Sequence, residues 1–411
     1  MSMAHSEQPS SGTLVTSAPR VVSIDIFRGL TMAVMIFVNQ LPEGGGLPWW
    51  THHAHAQEDR MTYVDMVFPF FLFIIGMSLP LSIAQRLKRN SSLAALWLHV
   101  MVRVLGLLVL GLILANAEKC DPARMPISGS AWGLFGLLCA GLYLNVYPKS
   151  VRFPAYSRVL RIIGLAGVIV LFAIFRRTTH AGHAAWIDFS YPEILGLIAL
   201  SYLAVAILYI PTRRWTWAPP VWFILLVSLN VFSAAKILSF PDSIPLYFWP
   251  FGNGAMACII MAGVITSSIF LGADSTRSPG RSMAIAAGFA FVTLAAGYVL
   301  IPLGISKIRA TPTWSLFSIG AAILAFTGLY WICDLKHRTR WAFFVRSAGA
   351  NTLTTYLLPD LWNFLSILFG ITFLDTIFPS GWPAVLKTVA FTFAILALSW
   401  ALTKSKVRLQ F

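Results

Sequence analysis

Charge is what this sequence has least of. Only 11% of its 411 residues are Asp, Glu, Lys or Arg, where a soluble globular domain carries roughly 25%. With 57% hydrophobic residues and a mean hydropathy of +0.75, an ordinary water-soluble enzyme is excluded. Cysteine is also sparse. Cys120, Cys139, Cys258 and Cys333 show no C-x-x-C spacing, which argues against a disulfide framework or a zinc site. Three of them fall in apolar runs, where a free thiol behaves as a small hydrophobe. No loop is long enough to fold alone. Residues 1–19 are polar and Ser-rich and lack the charged and apolar regions of a signal peptide. They are expected to be a disordered cytoplasmic tail, followed by a single transmembrane domain over 20–411.

What the chain has in abundance is long apolar segments, each close to the ~20 residues that cross a bilayer. A membrane barrel would show ~10-residue alternating strands instead. The fold class is therefore all-α, a polytopic membrane bundle of about twelve helices by the apolar-run criterion. The expected spans are 23–42, 63–85, 93–115, 131–147, 159–175, 192–211, 218–238, 253–272, 283–303, 314–333, 347–369 and 383–403. The net charge of +15 is not a nucleic-acid footprint. With the N-terminus inside, 20 Lys and Arg fall in inner segments, nine fall outside and Arg103 lies within a span. That is the positive-inside bias, and it puts both termini in the cytoplasm.

Ionisable and amide groups inside such spans are expensive and mark functional paths. Asp25 and Arg28 stand three apart on the first span and can pair across one helix face. Arg28 then either snorkels to the inner surface or faces the interior and meets an anion. Asn39 closes that span. The outer loop crowds His52, His53, His55, Glu58, Asp59 and Arg60 ahead of Asp65, which opens the next span. A carboxylate there is favoured by the helix dipole, and it can also fix the tautomer of a loop histidine. The His-x-His spacing without a second distant ligand pair is weak evidence for metal, and no metal is expected. Arg103 sits mid-span, and Asn116 ends the same span. Asn253, Lys307, Trp314, Asn351 and Tyr356 recur near later helix ends and suggest a polar interior path.

The motif S-x-D-x-F-R-G (Ser23 to Gly29), F-V-N (Phe37 to Asn39), His55-Ala56 ten residues before Asp65, and T-x-x-D-x-V-F-P-x-F-x-F-I-x-G-x-S (Thr62 to Ser78) stand in the first hundred residues. Arg103, Gly111 and Asn116 follow. This pattern resembles the heparan-α-glucosaminide N-acetyltransferase family of transmembrane acyltransferases. Three features depart from that family. The outer loop is longer, Glu58–Arg60 replaces a W-N-G, and a helix pair is inserted around 131–176. The expected relative is a bacterial type lacking the lumenal N-terminal domain, set in the cytoplasmic (inner) membrane with its active loop facing the periplasm.

The resemblance implies acetyl-CoA as donor cosubstrate, taken up from the cytoplasm. The acceptor, an amino sugar or glycan, comes from the other side. It implies His55 as base or transient acyl carrier, with Asp65 and Asn39 as its polar partners. Arg28, Arg103, Arg20 and Asn116 are assigned to the donor, and Asn253, Lys307, Trp314 and Asn351 to the acceptor. The partners are these two substrates and the bilayer, with a homodimer compatible and no nucleic acid. The competing class is a transporter or flippase of a small anionic or glycan-type substrate, which also carries polar residues in its spans.

Overall fold

The computed structural model describes residues 21–42, 46–147, 155–179, 181–238, 251–272, 278–371 and 373–410. The tail at 1–19 and Arg20 lie outside them. The chain is helical almost throughout: α1 (Val22–Asn39), α2 (Val64–Arg89), α3 (Leu93–Ala117), α4 (Gly129–Leu144), α5 (Tyr156–Ile174), α6 (Glu193–Thr212), α7 (Ala218–Ala234), α8 (Ala255–Leu271), α9 (Pro279–Val299), α10 (Pro312–Tyr330), α11 (Phe343–Ala350), α12 (Thr352–Leu368), α13 (Phe373–Ile377) and α14 (Gly381–Lys404). A two-residue antiparallel pair, β1 (Arg177–Thr178) with β2 (Ala184–Ala185), interrupts the α5–α6 connection. The molecule is an all-α polytopic membrane bundle.

Each of the twelve expected spans meets a helix, with two refinements. Eight helices among the described residues are long and apolar enough to cross a bilayer, while α4, α7 and α8 are shorter apolar helices. The eleventh expected span, 347–369, is broken at Asn351 into α11 and α12. The Asn351 amide donates to Thr403 Oγ1 and the Val407 carbonyl, and its oxygen accepts from Thr354 Oγ1. The side chain is thus anchored to the C-terminal segment where the helix axis changes.

At the centre, α2 packs along α8. Lipid supplies no hydrophobic drive between helices, so close backbone approach through small residues does the work. A Cβ on Gly76 would stand 1.9 Å from the Ile260 carbonyl oxygen, and one on Gly263 would stand 2.1 Å from that of Phe73. The α8 side chains Cys258 through Ala262 are fully buried as a result. By contrast, α5 leaves Ile162, Ile163, Ile169 and Val170 exposed, as a lipid-facing helix requires. The start of α1 has no side-chain cap of its own. Asp334, just beyond α10, accepts from the Val22 and Ser23 amides at 3.0 and 3.1 Å, satisfying two of the free N–H groups of a helix N-terminus. This cap sets the depth of Asp25 and Arg28.

Gly76→Val should lower stability by roughly 3 kcal/mol or more, because the new atoms meet backbone rather than a movable side chain. Gly288 on α9 has open space around it, so Gly288→Ala should leave the unfolding midpoint in detergent within a degree or two. Equal midpoints for the two variants would refute the close-approach account.

Candidate functional site

The site has two halves, one at each end of the bundle. The first is built on the lip of α2. Asp65 is the second residue of that helix and only 1% exposed. Its Oδ1 lies 2.7 Å from His53 Nδ1. Its Oδ2 accepts from the backbone amides of Thr62 at 3.0 Å and Ala54 at 3.3 Å, and from Thr62 Oγ1 at 3.4 Å. A carboxylate with this many donors is held rigid. The His53 side chain remains 47% exposed. With Nδ1 committed to the carboxylate, Nε2 is the nitrogen left to take a proton.

The expected partner of Asp65, His55, does not meet it. His55 is exposed, its amide donates to Glu58 Oε2 at 3.0 Å, and its carbonyl accepts from the Glu58 amide. Residues 55–58 form a turn, so counting ten residues back from Asp65 overshoots the ring that reaches it. The two N–H bonds from Ala54 and Thr62 fold the loop over the carboxylate and leave residue 53 on its open oxygen.

Lys307, in the loop before α10, places Nζ 3.4 Å from both His53 ring nitrogens. Burial pushes its ammonium pKa below the ordinary lysine value, while the charges of Asp65 and Glu193 oppose that shift. Trp314 is fully buried and its Nε1 donates to the Asp65 carbonyl at 3.1 Å. It supports the lip from behind rather than facing a substrate. At the rim, Arg309 pairs with Asp59 and holds that carboxyl below its usual range. Arg60 lies 4.7 Å over the Trp49 ring.

The second half is a cavity of about 360 Å³. Arg28, Arg86, Arg103 and His99 line it, with Ser78 and Tyr356. Arg28 donates to Ser78 Oγ at 2.6 Å, to the Gly349 carbonyl at 3.2 Å and to Asp25 at 3.3 Å. The Arg103 guanidinium stacks 4.8 Å from the Tyr202 ring. Among the described residues no carboxylate forms an ion pair with Arg86 or Arg103. Three guanidinium groups converge in one cleft whose described lining holds no carboxylate, an excess of positive charge of the kind that attracts phosphates. Along α2, roughly 20 Å separates Asp65 from Ser78 at about 1.5 Å per residue.

The remaining expected site residues are not brought together. Asn39 is exposed at the end of α1 and makes no hydrogen bond to a loop histidine among the described residues. Asn116 is fully buried away from the cavity. Its oxygen accepts from the Asp188 amide and its nitrogen donates to the Asp188 carbonyl, so it clamps a loop instead of touching a donor. Asn253 bridges the Ala310 carbonyl and the Ala255 amide. Asn253, Asn351 and Trp314 each direct their N–H groups to neighbouring segments, since an amide or indole N–H left without a partner is costly. Of the expected acceptor residues only Lys307 reaches the histidine.

The sequence reading missed Ser78, Ser82, Arg86 and His99. Their signal was present: Ser78, Ser82 and Arg86 are four apart on α2, as His99 and Arg103 are on α3, the spacing of one helix face. Among the described residues no group of three His, Cys, Asp or Glu side chains converges as metal ligands.

A family profile described as a domain of unknown function, DUF5009, matches residues 20–251, more than half of the chain. Two curated proteins are similar over shorter stretches. Heparan-alpha-glucosaminide N-acetyltransferase of Homo sapiens is 36% identical over 125 residues, 29% of this chain and 18% of that protein. Its counterpart from Mus musculus is 36% identical over 117 residues, 27% of this chain and 17% of that protein. The aligned part thus spans less than a fifth of either relative.

The charges around Lys307 lead to a signed expectation. In the reductively ¹³C-methylated protein, its NMR titration midpoint should fall below the ordinary lysine value of about 10.4. Asp65→Asn should move that midpoint lower still, since it removes a charge that favours the ammonium. A midpoint that rises in Asp65→Asn would contradict the geometry.

Proposed function

The chain belongs to the DUF5009 family, and from that membership, the likeness to the two acetyltransferases and the two-ended site we propose that it is a membrane-embedded acetyltransferase. It moves an acetyl group from acetyl-CoA, seated in the arginine-lined cavity, to an amino-sugar or glycan acceptor delivered to His53. The observation that carries the reading is the convergence of Arg28, Arg86 and Arg103 on one cleft within an apolar bundle. A nucleotide thioester presents the phosphates that such guanidinium groups bind, and a long thin arm that can follow the helices inward. The arginine end faces the cytoplasm in keeping with the basic-loop bias. The histidine end faces the far side of the membrane, the periplasm of a bacterial inner membrane.

In this reading Asp65 orients His53, and His53 Nε2 takes a proton from the acceptor amine. The freed nitrogen attacks the thioester carbonyl carbon. Lys307, beside the imidazole, supplies a positive charge where the carbonyl oxygen becomes negative. The half-exposed His53 lets a large acceptor approach from water, while the donor stays enclosed. Acceptor selection falls to the rim formed by Trp49, Arg60, Asp59 and Arg309, of which Asp59 and Arg60 stand where the chain departs from the acetyltransferase pattern. The contact with Asp65 supports His53 rather than His55 as the catalytic histidine.

Two sets of variants test this with labelled acetyl-CoA and a panel of amino sugars, using the purified full chain in lipid nanodiscs. His53→Ala should slow transfer by 10²- to 10⁴-fold, roughly the contribution of a positioned base, with acetyl-CoA affinity nearly unchanged. His55→Ala should keep most activity. Loss of transfer in His55→Ala with full activity in His53→Ala would return the role to His55.

Arg103→Leu should weaken acetyl-CoA binding by about 10- to 100-fold, the scale of one charge-assisted hydrogen bond. Leucine is well tolerated in a span, so insertion should survive. Unaltered acetyl-CoA affinity in Arg103→Leu would remove the arginines from the donor site. Movement of an anion or glycan into sealed proteoliposomes of the same chain without acetylation would favour a transporter.

A further inference from the structure

The loop that carries Lys307 is built to hold one position. It closes on itself ahead of α10. The Ser306 amide donates to Thr311 Oγ1 at 3.0 Å, the Thr311 amide to the Ser306 carbonyl at 3.1 Å, and the Ala310 amide to the Lys307 carbonyl at 3.0 Å. Neighbouring segments pin it from two sides. Asn230 of α7 and Asn253 before α8 each donate a side-chain N–H to the Ala310 carbonyl at 3.0 Å. Asp59 of the outer loop accepts from the Ile305 amide at 3.3 Å. This bonding fixes where the Lys307 backbone stands, and its Nζ lies 3.4 Å from each ring nitrogen of His53.

A lysine held in this way differs from a surface lysine. Lys119 is exposed, and its Nζ is paired with Asp188 at 2.8 Å. Lys307 is partly buried, and among the described residues no carboxylate forms an ion pair with its Nζ. Burial without a paired charge raises the share of the amine that is neutral. A neutral, partly desolvated lysine amine is a nucleophile. Here it stands beside a histidine that can receive its proton, in the place where an acceptor amine would have to come.

We propose that Lys307 is a self-acetylation site: when donor is bound and acceptor is absent, its amine takes the acetyl group and the chain is switched off. This inference rests on the acyl-transfer reading above, in which the thioester carbonyl lies beside Lys307 and His53. In the step, neutral Nζ bonds to the carbonyl carbon, the C–S bond breaks, and sulfur keeps the bonding pair. The surplus proton on nitrogen goes to His53. His53 passes it to the thiolate, which leaves from that same carbon and so lies at the same place. The products are an Nε-acetyl-lysine and a free thiol, and no other reactant is required. The new bond is an amide, stabilised by resonance, so the acetyl group is not handed on. The ammonium charge that served the carbonyl oxygen is gone, and the added group fills the acceptor's position. A bound acceptor occupies that position first and protects the lysine.

The test incubates the full chain in nanodiscs with labelled acetyl-CoA and no acceptor. Peptide mass spectrometry then locates the label, and transfer to the panel of amino sugars is assayed on the same samples. Acetyl-Lys307 should accumulate faster than acetyl-Lys119, and transfer activity should fall in step with it. His53→Ala should slow labelling of Lys307 by about 100-fold, the lower range for a positioned base, and leave Lys119 as it was. An amino sugar present during the incubation should preserve both the free lysine and the activity. Lys307→Arg keeps a positive charge but accepts no acetyl group, so whatever rate it starts with should not decline on incubation. Transfer to an amino sugar with Lys307 unlabelled, labelling of Lys307 that ignores His53 or merely matches Lys119, or full activity in the labelled chain would each overturn self-acetylation while leaving acyl transfer standing. Absence of both transfer and label on Lys307 would overturn both.

Discussion

The Asp65 carboxylate at the lip of α2 is the contact on which the rest of the site depends. It is almost completely removed from water, yet its oxygens accept from the Thr62 and Ala54 amides and the Thr62 hydroxyl and meet the His53 ring. Taking an ionised carboxylate out of water is costly unless such donors replace the hydration. The loop must therefore fold over Asp65 in this one way, and that fold decides which histidine is presented. The same residue's carbonyl receives the Trp314 indole, so α10 and the Lys307 loop before it are registered to the same point. One buried charge thus ties together a loop, two helices and the lysine that approaches the histidine.

The glycine-mediated packing of α2 on α8 complements this. Because the two backbones approach to within a missing Cβ, α2 is held at a fixed depth and rotation. The stripe Ser78, Ser82 and Arg86 then faces the cavity on the same helix that holds Asp65 at its other end. A single rigid element carries both halves of the site. In the proposed reaction such rigidity matters, since a small error in relative placement costs much of the benefit of proximity.

Between the halves the bundle is not uniformly apolar. Arg28 is satisfied by Ser78, Gly349 and Asp25, whereas Arg86 and Arg103 are left facing an open cleft. All three line the same cleft. The asparagines are satisfied elsewhere. Asn116, Asn230 and Asn253 all end on backbone groups of neighbouring segments. They pin the loops that would otherwise leave unpaired carbonyls inside the membrane.

Much of the fold was legible in the sequence because a membrane helix is specified locally: a run of apolar residues of sufficient length has no other way to satisfy its backbone in lipid. The spans, the all-α class and the concentration of chemistry near α1 to α3 follow from that, as does the choice of Asp65, Arg28, Arg103 and Lys307 as residues of interest. What the sequence could not decide was which polar groups meet. Arg28, Arg86 and Arg103 sit on three helices, and their convergence is a product of helix packing. The turn at 55–58 put His53 rather than His55 on Asp65, a two-residue difference that linear spacing hides. Asn116, Asn253 and Asn351 looked alike as polar residues near helix ends, and only the position of neighbouring carbonyls made them framework. Hydropathy is a property of each segment alone, while hydrogen bonding and charge compensation belong to pairs of segments, and those pairs exist only once the helices have packed.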